Sequence, residues 1–285
     1  MGGAKISTGG VAEQAERITR AASPWIVRLA RFGYAAKGVV YVLIGSITAY
    51  GAFKGGERPT DSQGALEQIL YRPFGRVLLG VVAAGLASYA LWRLTQAVMD
   101  TEDKGRKLKG LAVRFGYACI GLVYAGLGYS AVQLILGYGA GKGSDQSSRE
   151  WTALVFALPF GRLLAGLAGL GVIGFGCWQC YKAFTAKFRE KWMRHEMSER
   201  ARTLATRAGQ VGLTARGVVF GIVGIFLIQA ALRARPDEAR GLSGALRALE
   251  QRPHGPYILG AVALGLVVYG LYMFVEARHR RMRID

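Results

Sequence analysis

The chain has 285 residues, of which 52% are hydrophobic, 41 are glycine and only 7 are proline, and its formal net charge is +19. This composition excludes an ordinary soluble globular domain, because the apolar residues lie in six long stretches that contain no charged residue. Since basic residues border those stretches, anionic lipid headgroups are favoured over nucleic acid as the partner.

The six stretches are predicted to be membrane-spanning helices. A helix needs about 20 residues to cross a hydrocarbon core of ~30 Å, and the longest stretches exceed that length. The shorter ones are bordered by basic residues, whose long side chains we expect to reach the headgroups, such as Lys37, Arg76, Arg93 and Arg216. A soluble helical bundle is the alternative, but its helices would carry charges on an outer face. The stretches cover residues 38–53, 77–92, 115–141, 163–181, 217–232 and 253–275.

In chain order, residues 1–30 come first and interleave apolar and basic residues around Pro24. This pattern predicts an amphipathic helix on the inner membrane surface. Residues 31–99 then hold the first two spans, joined by a short helix at the outer interface.

Residues 111–184 and 207–276 hold two further pairs of spans, and a basic tail follows at 277–285. A basic linker at 185–206 separates the two pairs. Its neighbourhood carries Phe184, Phe188 and Trp192 at steps of four residues. We expect a helix here that lies on the membrane surface or docks a partner protein.

Lys and Arg are distributed unevenly among the connections. Residues 1–37, 93–114, 182–216 and 278–283 hold 25 of them, and the segments between hold 12. Because an excess of basic residues in short loops marks the cytoplasmic side, we expect both termini in the cytoplasm.

The three pairs of spans repeat one sequence. Residues 31–41 (RFGYAAKGVVY) recur at 114–124 (RFGYACIGLVY) and more loosely at 210–220 (QVGLTARGVVF). Many glycines, prolines and aromatic residues match at constant offsets, which indicates a triplication. A two-helix unit repeated in tandem keeps its orientation, so we expect a pseudo-threefold axis along the membrane normal. The predicted fold is therefore an all-α polytopic membrane protein with three tandem two-helix repeats in a pseudo-threefold arrangement.

The first repeat resembles a known family. Residues 30–41 read ARFGYAAKGVVY, GAL precedes PFGRVLL at 73–79, and the second span ends in YALW at 89–92. This pattern resembles the bacterial membrane domain of unknown function 1206, which typically occurs as three tandem copies. Copy two departs from it at Ile120 and copy three at Leu213. The resemblance implies a bacterial inner (plasma) membrane and this fold, and it implies no catalytic residue, cofactor or metal.

The glycines are interpreted as helix-packing residues. In lipid, close backbone approach through small residues supplies much of the packing between helices. The predicted set shares aligned positions in the repeats and consists of Gly38, Gly45, Gly121, Gly128, Gly217, Gly224, Gly80, Gly85, Gly166, Gly171, Gly260 and Gly265.

Polar candidates within the spans are few. Tyr50, Gln133 and Gln229 occupy one aligned position, and they would form a polar cluster if that position faced the axis. The alternative is that each bonds a neighbouring helix or the headgroups. Cys177 and Cys180 have the spacing of a redox or metal motif, but we expect small core residues because no histidine lies nearby.

Two functions remain open from the sequence. The favoured one is a non-enzymatic scaffold or accessory protein that packs with lipid or with another membrane complex, because the spans offer helix-packing residues. The alternative is a passive channel or carrier for a small solute along the pseudo-threefold axis. The Tyr50, Gln133 and Gln229 position would line such a path.

Overall fold

The computed structural model describes residues 8–54, 59–101, 105, 107–138, 143–192 and 197–280. The described part is helical, and six of its helices are long and apolar enough to cross a membrane. The long helices are α1 (Thr8–Lys54), α3 (Gly75–Met99), α4 (Leu108–Leu136), α6 (Gly161–Phe184), α7 (Glu199–Arg233) and α9 (Gly255–His279). The short helices are α2 (Ser62–Leu70), α5 (Ser144–Phe156) and α8 (Leu242–Glu250). The prediction of six spans in an all-α membrane protein is confirmed.

Each repeat consists of a long helix, a short helix and a second long helix. The turn into the second long helix passes through a residue in the left-handed conformation, at Phe74, Phe160 and His254. The next residue is always glycine, and a Cβ there would collide with a carbonyl oxygen at the end of the short helix. This close approach explains why the triplet of proline, one residue and glycine recurs in all three repeats.

The six long helices form a ring around a common axis. The first helix of one repeat packs against the second helix of another, so that α1 contacts α9, α4 contacts α3, and α7 contacts α6. Within repeats one and three the two long helices also pack together. In the described residues α4 and α6 of repeat two lack that packing, which leaves the ring open on one side. The arrangement is the expected pseudo-threefold one with a gap in one repeat.

Glycine contacts join the repeats most tightly where α1 meets α9 and where α6 meets α7. A Cβ placed on Gly38 would lie 2.8 Å from the Gly270 carbonyl oxygen, and one on Gly224 would lie 2.7 Å from that of Gly169. Added Cβ atoms would also meet close neighbours at Gly45, Gly85, Gly121, Gly217, Gly260 and Gly265, and would make ordinary contacts at Gly80, Gly128 and Gly166. At Gly171 no described atom lies within 4 Å, so the predicted packing contact is missing there.

The ends of the long helices differ from expectation. Helix α1 runs through Pro24 without a break, so it crosses the predicted boundary at residue 30. The linker between repeats two and three is a 3₁₀ helix at Lys187–Lys191 followed by the start of α7, and residues 193–196 lie outside the described part. A single linker helix over 185–206 is therefore wrong. The other domain limits stay predictions.

The aromatic residues of the linker are mostly buried. Phe188 and Trp192 are each 1% exposed, while Phe184 is 76% exposed. Both buried rings pack against Tyr272 of α9, with centroid distances of 5.4 and 6.3 Å. The expectation that they lie on the membrane surface is wrong, because the chain turns back after α6 and inserts them beside α9.

Candidate functional site

The three short helices meet at the end of the bundle opposite the start of α1 and the end of α9. Asp61 caps α2 by accepting hydrogen bonds from the backbone N–H groups of Gln63 and Gly64 at 3.0 Å. Its other oxygen accepts from the Ser144 backbone N–H at 2.6 Å and from the Ser243 hydroxyl at 3.4 Å. One carboxylate thus links all three repeats.

A second carboxylate completes this contact. Asp145 accepts hydrogen bonds from the backbone N–H groups of Gly241 and Gly244 at 2.8 and 2.9 Å. We call the group of Asp61, Ser144, Asp145, Gly241 and Ser243 the N-cap junction. Outside the spanning helices, burial raises the pKa of the nearby Glu67 carboxyl on α2, and the charge of Asp61 raises it further. The N-cap junction thus joins the short helices of all three repeats.

The centre of the bundle holds a lysine inside a cage of tyrosine rings. The Lys37 ammonium lies 4.7, 5.2, 5.6 and 5.9 Å from the ring centroids of Tyr89, Tyr124, Tyr269 and Tyr41. It also donates a hydrogen bond to the Tyr89 hydroxyl at 3.0 Å. The tyrosines come from α1, α3, α4 and α9, so the cage spans all three repeats. Cation–π contacts stabilise the ammonium where water is excluded.

Arg216 of α7 lies beside this cage. Its guanidinium donates hydrogen bonds to the hydroxyls of Tyr41 and Tyr269 at 3.1 and 3.0 Å. A further bond reaches the amide oxygen of Gln179 on α6 at 3.1 Å. These partners are all uncharged.

Arg93 of α3, in repeat one, also lies beside the tyrosine cage. It donates to the Tyr89 hydroxyl through Nε at 2.9 Å and through a terminal nitrogen at 2.7 Å. Another bond reaches the Gln96 amide oxygen at 2.8 Å. Lys37, Arg93 and Arg216 are 3, 9 and 8% exposed. The expectation that these three side chains reach the headgroups is wrong, because hydroxyl and amide partners hold them inside the ring.

A buried acidic group lies near the end of α9. Glu276 accepts hydrogen bonds from the Trp192 indole N–H at 2.8 Å and from the Tyr272 hydroxyl. Its second oxygen forms an ion pair with Arg280 at 2.8 Å. Both carboxylate oxygens are therefore engaged within the protein.

These groups surround a cavity of about 100 Å³ on the side of the bundle where α1 begins and α9 ends. Every long helix contributes to its lining. Two polar atoms in the lining lack a hydrogen-bond partner among the described residues, the Gln179 side-chain nitrogen and the Tyr34 hydroxyl oxygen. Gln179 and Tyr34 are 2 and 1% exposed. Both atoms can donate a hydrogen bond to a ligand.

The cavity follows the register of the repeats. Lys37, Ile120 and Arg216 occupy one aligned position, and all three line the cavity. Arg93, Gln179 and Met273 occupy another aligned position and also line it. The triplication therefore placed equivalent side chains around one site, and their chemistry then diverged. The alignment of the repeats was already available from the sequence. Comparing the charges at each aligned position would have identified the site.

The predicted polar position lies elsewhere. Tyr50 is 51% exposed, and the Lys54 ammonium lies 5.2 Å from its ring centroid. Gln133 donates to the Tyr129 hydroxyl of its own helix at 3.0 Å, and Gln229 is half-buried on α7. None of the three lines the cationic cavity.

The cysteines do not form a site in the described part of the chain. Cys177 and Cys119 are exposed on the surface of the bundle, and Cys180 is half-buried. The expectation of a core position is therefore wrong for Cys177. No group of three or more metal-ligating residues occurs among the described residues.

Together these observations define a multi-pass helical membrane protein, built from three two-helix repeats around a cationic cavity. The chain belongs to the family described as Domain of Unknown Function (DUF1206), whose model matches residues 32–100, 115–186 and 211–280. This confirms the resemblance seen in the sequence. A protein of Bacillus subtilis (strain 168), described as "Uncharacterized protein YxxB", is 37% identical over 266 residues, which cover 93% of this chain and 95% of that protein. No solved structure matches the chain.

Proposed function

We propose that this protein is a non-enzymatic scaffold or accessory component of the bacterial plasma membrane, with both termini in the cytoplasm. It packs with lipid, whose anionic headgroups contact its basic cytoplasmic side, or with another membrane complex. The observation that carries the proposal is that side chains of all three repeats meet inside the bundle. Hydrogen bonds to Asp61 join the short helices at one end, and buried tyrosine rings surround Lys37 between the long helices.

The chemistry of the cavity supports a binding role over a catalytic one. Its polar lining consists mainly of cations, hydroxyls and an amide, and both oxygens of its carboxylate Glu276 are already bonded. A general base needs a free acceptor within reach of a substrate proton. The described lining offers a ligand positive charge and hydrogen-bond donors.

The alternative is a passive channel or carrier for a small solute. A conduit along the axis needs a continuous wet path, with binding weak enough for release. In the described residues the path meets buried tyrosines at the centre, and Tyr50, Gln133 and Gln229 do not line the cavity. This geometry favours the scaffold.

Flux measurements on the purified protein in liposomes test the proposal. We expect the permeability to glycerol and to chloride to equal that of empty liposomes, because buried tyrosine rings surround Lys37 between the long helices. The double variant Gln133→Leu, Gln229→Leu serves as the matched control and is expected to give the same result. Flux above the empty-liposome level that the double variant abolishes would replace the scaffold with a channel.

A further inference from the structure

The cavity carries an excess of positive charge. Five basic side chains and one acidic side chain line it among the described residues, and the acid, Glu276, is already bonded to Trp192, Tyr272 and Arg280. Charges of one sign inside low-dielectric walls reinforce each other's field and raise the local concentration of counter-ions. The basic residues are Lys37, Arg93, Lys182, Arg216 and Arg280.

Three of these cations are held by neutral groups. Lys37, Arg93 and Arg216 bond tyrosine hydroxyls and amide oxygens, and no ion pair joins them to a carboxylate among the described residues. Removing a charge from water without a counter-charge costs several kcal/mol per ion. Ionisable side chains that face the interior of a membrane bundle are in general functional. A negatively charged ligand would offset the cost.

The unpaired donors point to the chemistry of that ligand. The Gln179 side-chain nitrogen and the Tyr34 hydroxyl line the same cavity and lack partners among the described residues. Cations together with free donors suit a group that has several acceptor oxygens and negative charge. A phosphate-type group has both properties, and a cavity of about 100 Å³ has room for one.

The gap in the ring provides a route from the lipid. Tyr117 and Ile120 of α4 and Phe175 and Trp178 of α6 line the cavity, and any contact between these two helices is weak in the described residues. Trp178 is 54% exposed. Repeat two has the apolar Ile120 where the other repeats have Lys37 and Arg216. The lining from α4 is therefore aromatic and apolar, while α1, α3, α7 and Lys182 of α6 contribute cations, which suits an amphiphile.

We infer that this cavity is a binding site for a phosphate-type anion, which is carried into it by a lipid headgroup through the gap between α4 and α6 or enters as a free ion. The inference rests on the proposed function in assigning the protein a role in lipid contact, and it adds a defined internal site. Anion binding here requires the charges of Lys37 and Arg216.

Calorimetric titration of the full-length protein in a non-ionic detergent tests the site. The probes are dioctanoyl phosphatidic acid, dioctanoyl phosphatidylcholine and inorganic phosphate. The variants are Lys37→Met and Arg216→Met, and the matched control is Lys187→Met, which removes an exposed cation that does not line the cavity. A hydrogen bond to a charged group contributes about 1.5–3 kcal/mol, so each cavity variant should weaken binding about tenfold or more.

The outcomes separate the two sources. Saturable binding of phosphatidic acid that phosphatidylcholine and inorganic phosphate do not reproduce supports the lipid headgroup. Binding of inorganic phosphate that competes with phosphatidic acid supports a free anion in the same site. In both cases the Lys187→Met variant binds as the wild type does. Should a methionine variant fail to purify as a monodisperse species, Gln179→Leu replaces it and is expected to weaken binding without removing a charge.

Absence of binding for all probes overturns the inference, and so does equal binding by the wild type and both cavity variants. Either result leaves the scaffold proposal intact as long as the liposomes show no solute flux, because flux is the test of that proposal. Conversely, solute flux together with intact anion binding would overturn the scaffold proposal and leave the site in place.

Discussion

Glu276 organises the end of the cavity through contacts with its own helix α9 and with the linker. Trp192 comes from the linker, Tyr272 lies one turn before Glu276 on α9, and Arg280 lies one turn after it, directly beyond the end of α9. The carboxylate is 3% exposed. A buried ion pair contributes little compared with well-packed apolar residues, but removing one partner leaves the other charge unpaired. The hydrogen bond from Trp192 to Glu276 therefore adds to the packing of Phe188 and Trp192 against Tyr272 in holding the linker in place.

We predict that Glu276→Gln destabilises the protein strongly. The neutral amide leaves Arg280 with a weakened partner and lets the Trp192 contact loosen, which should lower the free energy of unfolding by about 3 kcal/mol. Glu199→Gln is the control, because that carboxylate is 81% exposed in its pair with Arg202 and should change stability by about 1 kcal/mol at most. Unfolding in detergent, followed by circular dichroism, compares the two. Equal midpoints for the two variants would contradict this role of Glu276.

The sequence indicates which residues are basic, but it does not indicate the direction in which their side chains point. Lys37, Arg93 and Arg216 lie near the ends of the apolar stretches, and the length of a span does not decide whether such a side chain faces headgroups or the interior. Tertiary partners decide it, here the tyrosine hydroxyls and the Gln179 amide. The aligned position shared by Lys37 and Arg216 was the available signal, because charge kept at one register of a repeat implies a shared environment.

Among the helices, close backbone contact is unequally distributed. Helix α6 meets α7 through Gly169 and Gly176, where an added Cβ would lie 3.0 and 2.7 Å from the carbonyl oxygens of Gly224 and Gly217. Gly171 and Gly174 of the same helix meet nothing within 4 Å among the described residues. Only part of the glycine pattern therefore packs helices, and the open glycines belong to the repeat in which α4 and α6 separate.

We predict opposite effects of the same substitution at two positions of α6. Gly176→Ala should destabilise the protein by about 1–3 kcal/mol, since the Cβ collides with backbone of α7. Gly174→Ala should be neutral, or stabilising by up to about 1 kcal/mol through helix propensity. Thermal unfolding of both variants in one detergent measures the difference. A loss of stability at Gly174 as large as that at Gly176 would mean that α4 or another element covers α6 there.

The architecture of the whole molecule was largely predictable, because it depends on periodicity. Six apolar stretches and their constant offsets specify three equivalent pairs of helices around an axis. The opening of repeat two was not predictable, since its glycines resemble those of the other repeats. The linker was also misjudged. The spacing of Phe188 and Trp192 fits a surface helix, yet the 3₁₀ turn at Lys187–Lys191 directs both rings into the protein.

The two ends of the bundle differ, because hydrogen bonds join the repeats at one end and the cavity lies towards the other. At the closed end the short helices begin against one another, and the donors at their first turns find acceptors in neighbouring repeats. Helix N-termini leave backbone N–H groups unpaired, so carboxylates placed there satisfy donors of more than one helix. Towards the other end, aromatic and cationic side chains of all six long helices line the cavity.

We predict that Asp61→Ala weakens the whole assembly of repeats. The variant loses the cap of α2 and leaves the Ser144 N–H and the Ser243 hydroxyl without this acceptor, for a total of about 2–4 kcal/mol. Asp61→Asn should retain part of that stability, because asparagine also caps helices well. Asp237→Ala, at an exposed position near the same end, should change stability by about 0.5 kcal/mol or less. Unfolding midpoints in detergent rank the three variants. If Asp61→Ala ranks with Asp237→Ala, the packing of the long helices holds the repeats together and the N-cap junction adds nothing to stability.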